Sequence, residues 1–191
     1  GGMVPGPGEI SLAHHGVLFL DELAEFRRET LEILRQPMEE HCVKLARLAG
    51  NYEFPSDFML VAAMNPCRCG YYPDLNRCHC TKGMVEQYLK KISQPLLDRI
   101  DICVETKRVE YQDLIKENPH QETSAEIRKR VVAAMERQQQ RFAGTNIRYN
   151  SRIPAALLTK YCRLSTKQKQ YMESIYQKLE LTARSYHRIL R

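Results

Sequence analysis

The sequence predicts an α/β fold, a partial parallel sheet with flanking helices, followed by an all-helical unit. Three observations carry this. Two apolar runs, VLFL at 17–20 and FMLVAA at 58–63, lack polar alternation, as parallel strands covered on both faces do. Between and after them lie stretches with helical apolar spacing. The charge then changes sign along the chain: residues 1–107 carry a net −3 and residues 108–191 a net +9. That asymmetry marks two units, the second either facing something anionic or wearing a solvated basic helical surface.

The elements follow in order. Residues 3–9, MVPGPGE, form a Pro/Gly loop, and Val17–Leu20 form the first strand. AEFRRETLEILRQPMEE reads as one helix, with Phe26, Leu31, Leu34 and Met38 near helical spacing and Pro37 ending or kinking it. CVKLARLAGNYEF is a hairpin with a Gly50-Asn51 turn. FMLVAAMNP is a second buried strand that stops at Asn65. A cysteine-rich loop, 67–80, comes next. VEQYLKKISQPLLDRIDICVE then supplies a helix, the stretch PLLDRID and a third strand, ICVE.

Residues 108–121 read as a linker and 122–191 as a helical lid. Thr123 with Glu126 makes a capping box, followed by Ile127, Val131, Met135 and Phe142 on one face, and Gly144 closes that helix. Pro154 starts a short helix with Leu157, Leu158 and Tyr161. Ser165 with Gln168 caps another, and Thr182 a last one.

Composition excludes some classes. No apolar run approaches the ~20 residues that span a bilayer, and no secretory signal precedes the first strand, so the expected location is the cytoplasm. The chain does not begin with Met and stops within a helical pattern, so it reads as a piece of a longer protein.

The first strand ends in two adjacent acids, Asp21 and Glu22. Ligands of open parallel sheets sit beyond the carboxyl ends of the strands. Four apolar residues followed by Asp-Glu is the pattern in which the first acid supports Mg²⁺ and the second polarises an attacking water. The alternative is a helix N-cap. Asn65 ends the neighbouring apolar run, where an amide can orient water; before Pro66 it also suits a turn. Arg99 can serve as a cation supplied to a neighbouring phosphate, or pair locally with Asp98 or Asp101. Arg184 opens the last helix, from which it could reach the same phosphate, or it is a surface Arg.

Seven cysteines are present, four of them in CRCGYYPDLNRCHC: Cys67, Cys69, Cys78 and Cys80. Four thiolates suit a tetrahedral structural zinc, with His79 able to replace one; a set of reduced thiols in a tight loop is the other reading. Cys42, Cys103 and Cys162 read as buried apolar fillers. His14 and His15 are assigned no role.

Taken together and in order, PGEISLAHHGVLFLDEL, LRQPMEE, FMLVAAMNPCRCGYY, LLDRID and LTARSYHRILR closely resemble the magnesium-chelatase-like AAA+ ATPases of the ComM/YifB type. The resemblance covers nearly the whole chain. It implies a Walker B Asp21, a catalytic Glu22, a sensor 1 Asn65, an arginine finger Arg99 acting across a subunit interface, and a sensor 2 Arg184 on the lid. It also implies a pre-sensor-1 hairpin near Gly50-Asn51, with Lys44 and Arg47 as candidate DNA contacts. The cofactors implied are ATP with Mg²⁺, with structural zinc at the cysteines as the residues' own suggestion. The partners implied are further copies in a hexameric ring and DNA, with helicase or branch-migration work in recombination or competence.

One departure stands out. No G-x-x-x-x-G-K-[ST] loop occurs in this chain, and GMVPGPGE has glycines without the lysine. The chain therefore reads as the later half of an ATPase module with its lid, expected to be inactive alone. Two other readings remain: an ATPase subunit of a magnesium chelatase acting on porphyrin, and a non-catalytic zinc-bearing interaction module.

Overall fold

The computed structural model describes residues 5–48, 50–106, 109, 111 and 122–191. The chain divides into two compact units, Gly1–Cys103 and Val104–Arg191. Most of the expected linker at 108–121 lies outside the described residues.

The first unit opens with a short helix α1 (Glu9–Leu12) and strand β1 (Val17–Leu20). A 3-10 turn (Leu23–Glu25) leads to helices α2 (Arg28–Ile33) and α3 (Arg35–Glu40). The single helix expected over 24–40 is thus broken near its start by the 3-10 turn and again at Leu34, just before Pro37, the proline expected to end or kink it. Pro37 sits in the first turn of α3 and has no N–H to donate to the Ile33 carbonyl four residues earlier, so the hydrogen-bond ladder is interrupted between α2 and α3. The chain restarts at Leu34 for that reason.

Strands β2 (Cys42–Arg47) and β3 (Gly50–Pro55) form an antiparallel hairpin in which Arg47 pairs with Gly50. The turn therefore comes before Gly50 rather than at Gly50-Asn51. Gly50 begins a strand, with the positive φ of 140° that a glycine accepts readily. Strand β4 (Met59–Ala62) lies parallel to β1, with Val17 opposite Met59 and Leu20 opposite Ala62. Helices α4 (Lys82–Leu89) and α5 (Gln94–Leu97) complete the unit. Their N-caps are the hydroxyls of Thr81 and Ser93, which accept from the N–H groups of Met84 and Leu96.

Leu23, Leu31, Leu34, Ile92 and Leu96 form the core, with Leu18 and Leu20 packed on it from β1. Among the described residues of this unit, one face of the β1–β4 sheet is covered and the other is exposed. Val17 and Phe19 are 57% and 58% exposed, and Met59 and Val61 65% and 40%. The expectation of strands covered on both faces is corrected accordingly. The third strand, ICVE, does not form either. Ile102 and Val104 are exposed, and no described strand accepts their backbone groups. A β-branched run becomes a strand only beside a sheet edge. Cys103, expected buried, is exposed for the same reason, while Cys42 is buried and Cys162 half-buried.

The second unit is helical among its described residues. Helix α6 (Ser124–Arg141) carries the complete Thr123–Glu126 capping box, and its last turn leads to Gly144 at φ 76°. Two 3-10 turns (Asn150–Arg152 and Ala155–Leu157) lead into α7 (Leu158–Tyr161). Helices α8 (Thr166–Lys178) and α9 (Ala183–Leu190) follow, capped at Ser165 and Thr182. Phe142, Ile153 and Leu158 are its buried cluster. The Arg141 guanidinium lies 5.4 and 5.8 Å from the Phe142 and Tyr161 ring centroids and donates to Asn150 Oδ1 at 3.0 Å, tying the end of α6 to the turn below it. No described helix is long and apolar enough to cross a membrane.

Candidate functional site

Because β1 and β4 are parallel neighbours, their carboxyl ends open on one edge. The ladder continues past both strands: Ala63 N–H donates to Leu20 O at 3.0 Å, and Leu23 N–H donates to Ala63 O at 2.9 Å. Asp21 and Glu22 leave β1 at this edge, and Asn65 leaves β4 at the same edge. All three are exposed.

Glu22 adopts a left-handed backbone, φ 51° and ψ 45°, unusual for a residue with a Cβ and costing on the order of 1 kcal/mol. It stands at the N-cap of the 3-10 turn, yet its side chain makes no capping hydrogen bond. Instead its own N–H donates to Asp21 Oδ1 at 2.8 Å, which orients the Asp21 carboxylate. The capping alternative therefore does not account for the Glu22 carboxylate. The turn is held from below: Lys91 Nζ donates to Ala24 O at 2.8 Å and lies 3.6 Å from Glu25. Nothing in the sequence singles out Lys91, which is only the second Lys of KK beyond a helix.

Asn65 has a close neighbour in Gly70. A Cβ built at Gly70 would lie 3.9 Å from Asn65 Cγ and Oδ1, and Gly70 has φ 81°. The glycine lets the cysteine loop fold back beside Asn65 without strain.

Arg99 follows α5, its side chain only 10% exposed. It donates to Glu39 Oε1 at 2.6 Å, a partner sixty residues earlier, and also to Pro95 O. In this chain it is thus held by its own subunit. Glu39 could not have been picked out from sequence, since nothing in LRQPMEE separates it from its neighbours. Lys44 is likewise engaged: its Nζ is 2.7 Å from Glu40 Oε2, and Glu53 stands opposite it on β3. Hydrogen bonding from Lys44 holds the Glu40 carboxyl below the usual glutamate range. Arg47 is exposed at the last position of β2, and Arg184 is exposed in the first turn of α9, in the second unit.

The four loop cysteines come together. Their Sγ atoms all lie within 4.8 Å of one another, with Cys67–Cys69 at 3.3 Å, Cys69–Cys78 at 3.5 Å and Cys67–Cys78 at 3.8 Å. Four sulfurs at the zinc–thiolate distance of about 2.3 Å around a tetrahedral ion would be about 3.8 Å apart, so the donor set fits. All four are free thiols, Cys67 and Cys78 are buried, and Val85 of α4 packs on them. Their acidities diverge. Burial would raise Cys67, but the Tyr72 backbone N–H and the Cys69 and Cys78 thiols bring it down to about 6. The Cys80 N–H favours the Cys78 thiolate, yet burial and the neighbouring thiols of Cys69 and Cys67 outweigh it and push Cys78 up to about 12. Four thiols this close cannot all ionise unless a cation joins them. His79 is exposed and outside the cluster.

The chain matches the family model of magnesium chelatase subunit ChlI over residues 1–114, and that of the ChlI C-terminal domain over residues 121–191. It belongs to the magnesium chelatase ChlI family. Over its whole length it is 40% identical to the uncharacterized protein YifB of Salmonella typhimurium and 39% identical to the competence protein ComM of Haemophilus influenzae. An uncharacterized protein of Mycobacterium tuberculosis is 36% identical over 97% of the chain. The chain spans only 36–37% of the length of these relatives. This ChlI-family piece is thus a partial AAA+ module, a mixed α/β unit with a small parallel sheet plus the family's C-terminal domain.

Proposed function

We propose that this chain is the hydrolytic half and lid of an AAA+ ATPase that works on DNA as a hexameric ring. The observation that carries the reading is the shared sheet edge, where Asp21, Glu22 and Asn65 emerge from adjacent parallel strands. Bound ATP with Mg²⁺ supplies the transferring phosphoryl group. Asp21, oriented by the Glu22 N–H, would support the metal. The Glu22 carboxylate, unspent on capping, accepts the proton of the attacking water, and the Asn65 amide orients that water. Arg99 answers charge on a neighbouring subunit's phosphate, which requires it to leave Glu39. Arg184, on the lid unit (122–191), would couple hydrolysis to lid movement.

The thiol cluster would hold one structural zinc. It offers four sulfur donors and no open position, so it braces the loop rather than performing chemistry. DNA as the client is supported by the likeness to a competence protein and by the net +9 of residues 108–191. Lys44 and Arg47 are the hairpin's candidate contacts, and for Lys44 this means exchanging Glu40 for phosphate. Expected location is the cytoplasm.

The test is the ATPase rate of the complete protein with and without forked DNA, with this 191-residue chain alone as a control expected to show no turnover. Stimulation by DNA supports the reading. Hydrolysis indifferent to DNA would point to a chelatase-type client, and no hydrolysis by an assembled ring would leave a zinc-bearing interaction module. Turnover by the isolated chain would refute its assignment as a half-site.

A further inference from the structure

The loop that gathers the thiols turns a second set of side chains outward. Arg68, Tyr71, Tyr72, Arg77 and Lys82 are all exposed, the two tyrosines at 45% and 42%. An exposed adjacent pair of tyrosines in so short a loop is not explained by the thiol cluster, whose apolar contacts are made by Val85. The Arg77 guanidinium lies 4.2 Å from the Tyr71 ring centroid, so the ring is already backed by a cation on one face.

The loop that carries them is held by its own backbone hydrogen bonds. Asp74 N–H donates to Tyr71 O at 2.8 Å, and Arg77 and Cys78 N–H both donate to Asp74 O, at 3.1 and 2.7 Å. Asp74 is the one acid in 68–82, and its Oδ1 is turned to the Asn76 N–H at 3.1 Å. Two exposed cations and two exposed rings thus lie along one hydrogen-bonded loop, with Lys82 exposed at the start of α4 just after it.

We infer that this face binds single-stranded DNA, with bases stacked on Tyr71 and Tyr72 and phosphates met by Arg68, Arg77 and Lys82. Interleaved aromatics and cations are what unpaired strands need, because their bases expose π-faces that a duplex conceals. The inference rests on the DNA reading above and deepens it. The face lies in the loop that begins two residues after Asn65, so an engaged strand would bear on the segment that carries the water-orienting amide.

The experiment is fluorescence anisotropy of a labelled oligo-dT of about 30 nucleotides, long enough to cover more than one binding footprint, with the complete, zinc-replete protein. Tyr71→Ala and Tyr72→Ala should each weaken binding about tenfold, while Tyr72→Phe keeps it. Arg68→Gln with Arg77→Gln should reduce the salt dependence by about 1.4 in log–log slope, about 0.7 for each phosphate no longer neutralised. Zinc content and DNA-independent ATPase rate should match the parent in every variant, which separates weakened binding from failed folding. Variants that bind as tightly as the parent would overturn the surface while leaving the DNA motor standing. Binding unchanged with ring assembly abolished would assign the face to a subunit interface instead. A parent protein that binds no DNA at all would sink the DNA reading itself, and this surface with it. Equal competition by a duplex of the same length would contradict stacking.

Discussion

At the scale of single residues, the four gathered thiols predict one zinc per purified chain, measured by elemental analysis. The acids ending VLFL and the amide ending FMLVAAMN could be picked out because an apolar run that stops at a polar group is a local signal. The left-handed backbone of Glu22, the Arg99–Glu39 pair and the Lys91 prop on Ala24 O are long-range or conformational, and no local pattern encodes them. The cysteines fall between these cases. Their spacing announced a cluster, but only the folded loop shows Sγ atoms at the separations a tetrahedral ion requires. Cys67→Ser should abolish stoichiometric zinc and lower the melting temperature, and a strong chelator should lower the parent's in the same way. Acidification should weaken zinc retention, because the ligands must be thiolates and Cys78 and Cys80 are both pushed up from the ordinary thiol range. Protein free of zinc and unmoved by chelator would contradict the site.

At the scale of elements, capping chemistry was the most legible signal. The Thr123–Glu126 and Ser165–Gln168 boxes both form, with reciprocal hydrogen bonds. Such boxes depend only on residues three apart, so tertiary context seldom overrides them. Thr123→Ala should cost about 1 kcal/mol in thermal or chemical unfolding. Glu126 adds a pH dependence of known sign. Hydrogen bonds from the Thr123 N–H and hydroxyl hold its carboxyl below the ordinary glutamate value. Its contribution is present above that ordinary value and is lost as pH falls through the depressed one. Glu126→Gln should therefore flatten the acid limb of the unfolding curve, and an unchanged limb would count against the box. Departures from regular elements have their own causes. The helix at 24–40 is interrupted at Leu34 because Pro37 has no N–H for the Ile33 carbonyl, so the kink that the proline announces falls just before it. ICVE fails as a strand because strand formation needs a neighbouring edge, which periodicity cannot report.

At the scale of the whole molecule, the class of fold was legible and its completeness was not. An unalternating apolar run implies cover on both faces, yet Val17, Phe19, Met59 and Val61 form an exposed apolar face. That is consistent with a chain spanning 36–37% of its relatives, with no phosphate-cradling loop within it. Charge is unevenly spread as well, with a net −3 over residues 1–107 and a net +9 over residues 108–191. The central claim is that chemistry occurs at the β1–β4 edge, with Glu22 activating water. The most direct measurement compares Glu22→Gln with the parent in the complete protein, reading ATP binding and single-turnover hydrolysis side by side. The expected result is unchanged nucleotide affinity with hydrolysis slowed by ~10²-fold or more. Hydrolysis within a few-fold of the parent would contradict it.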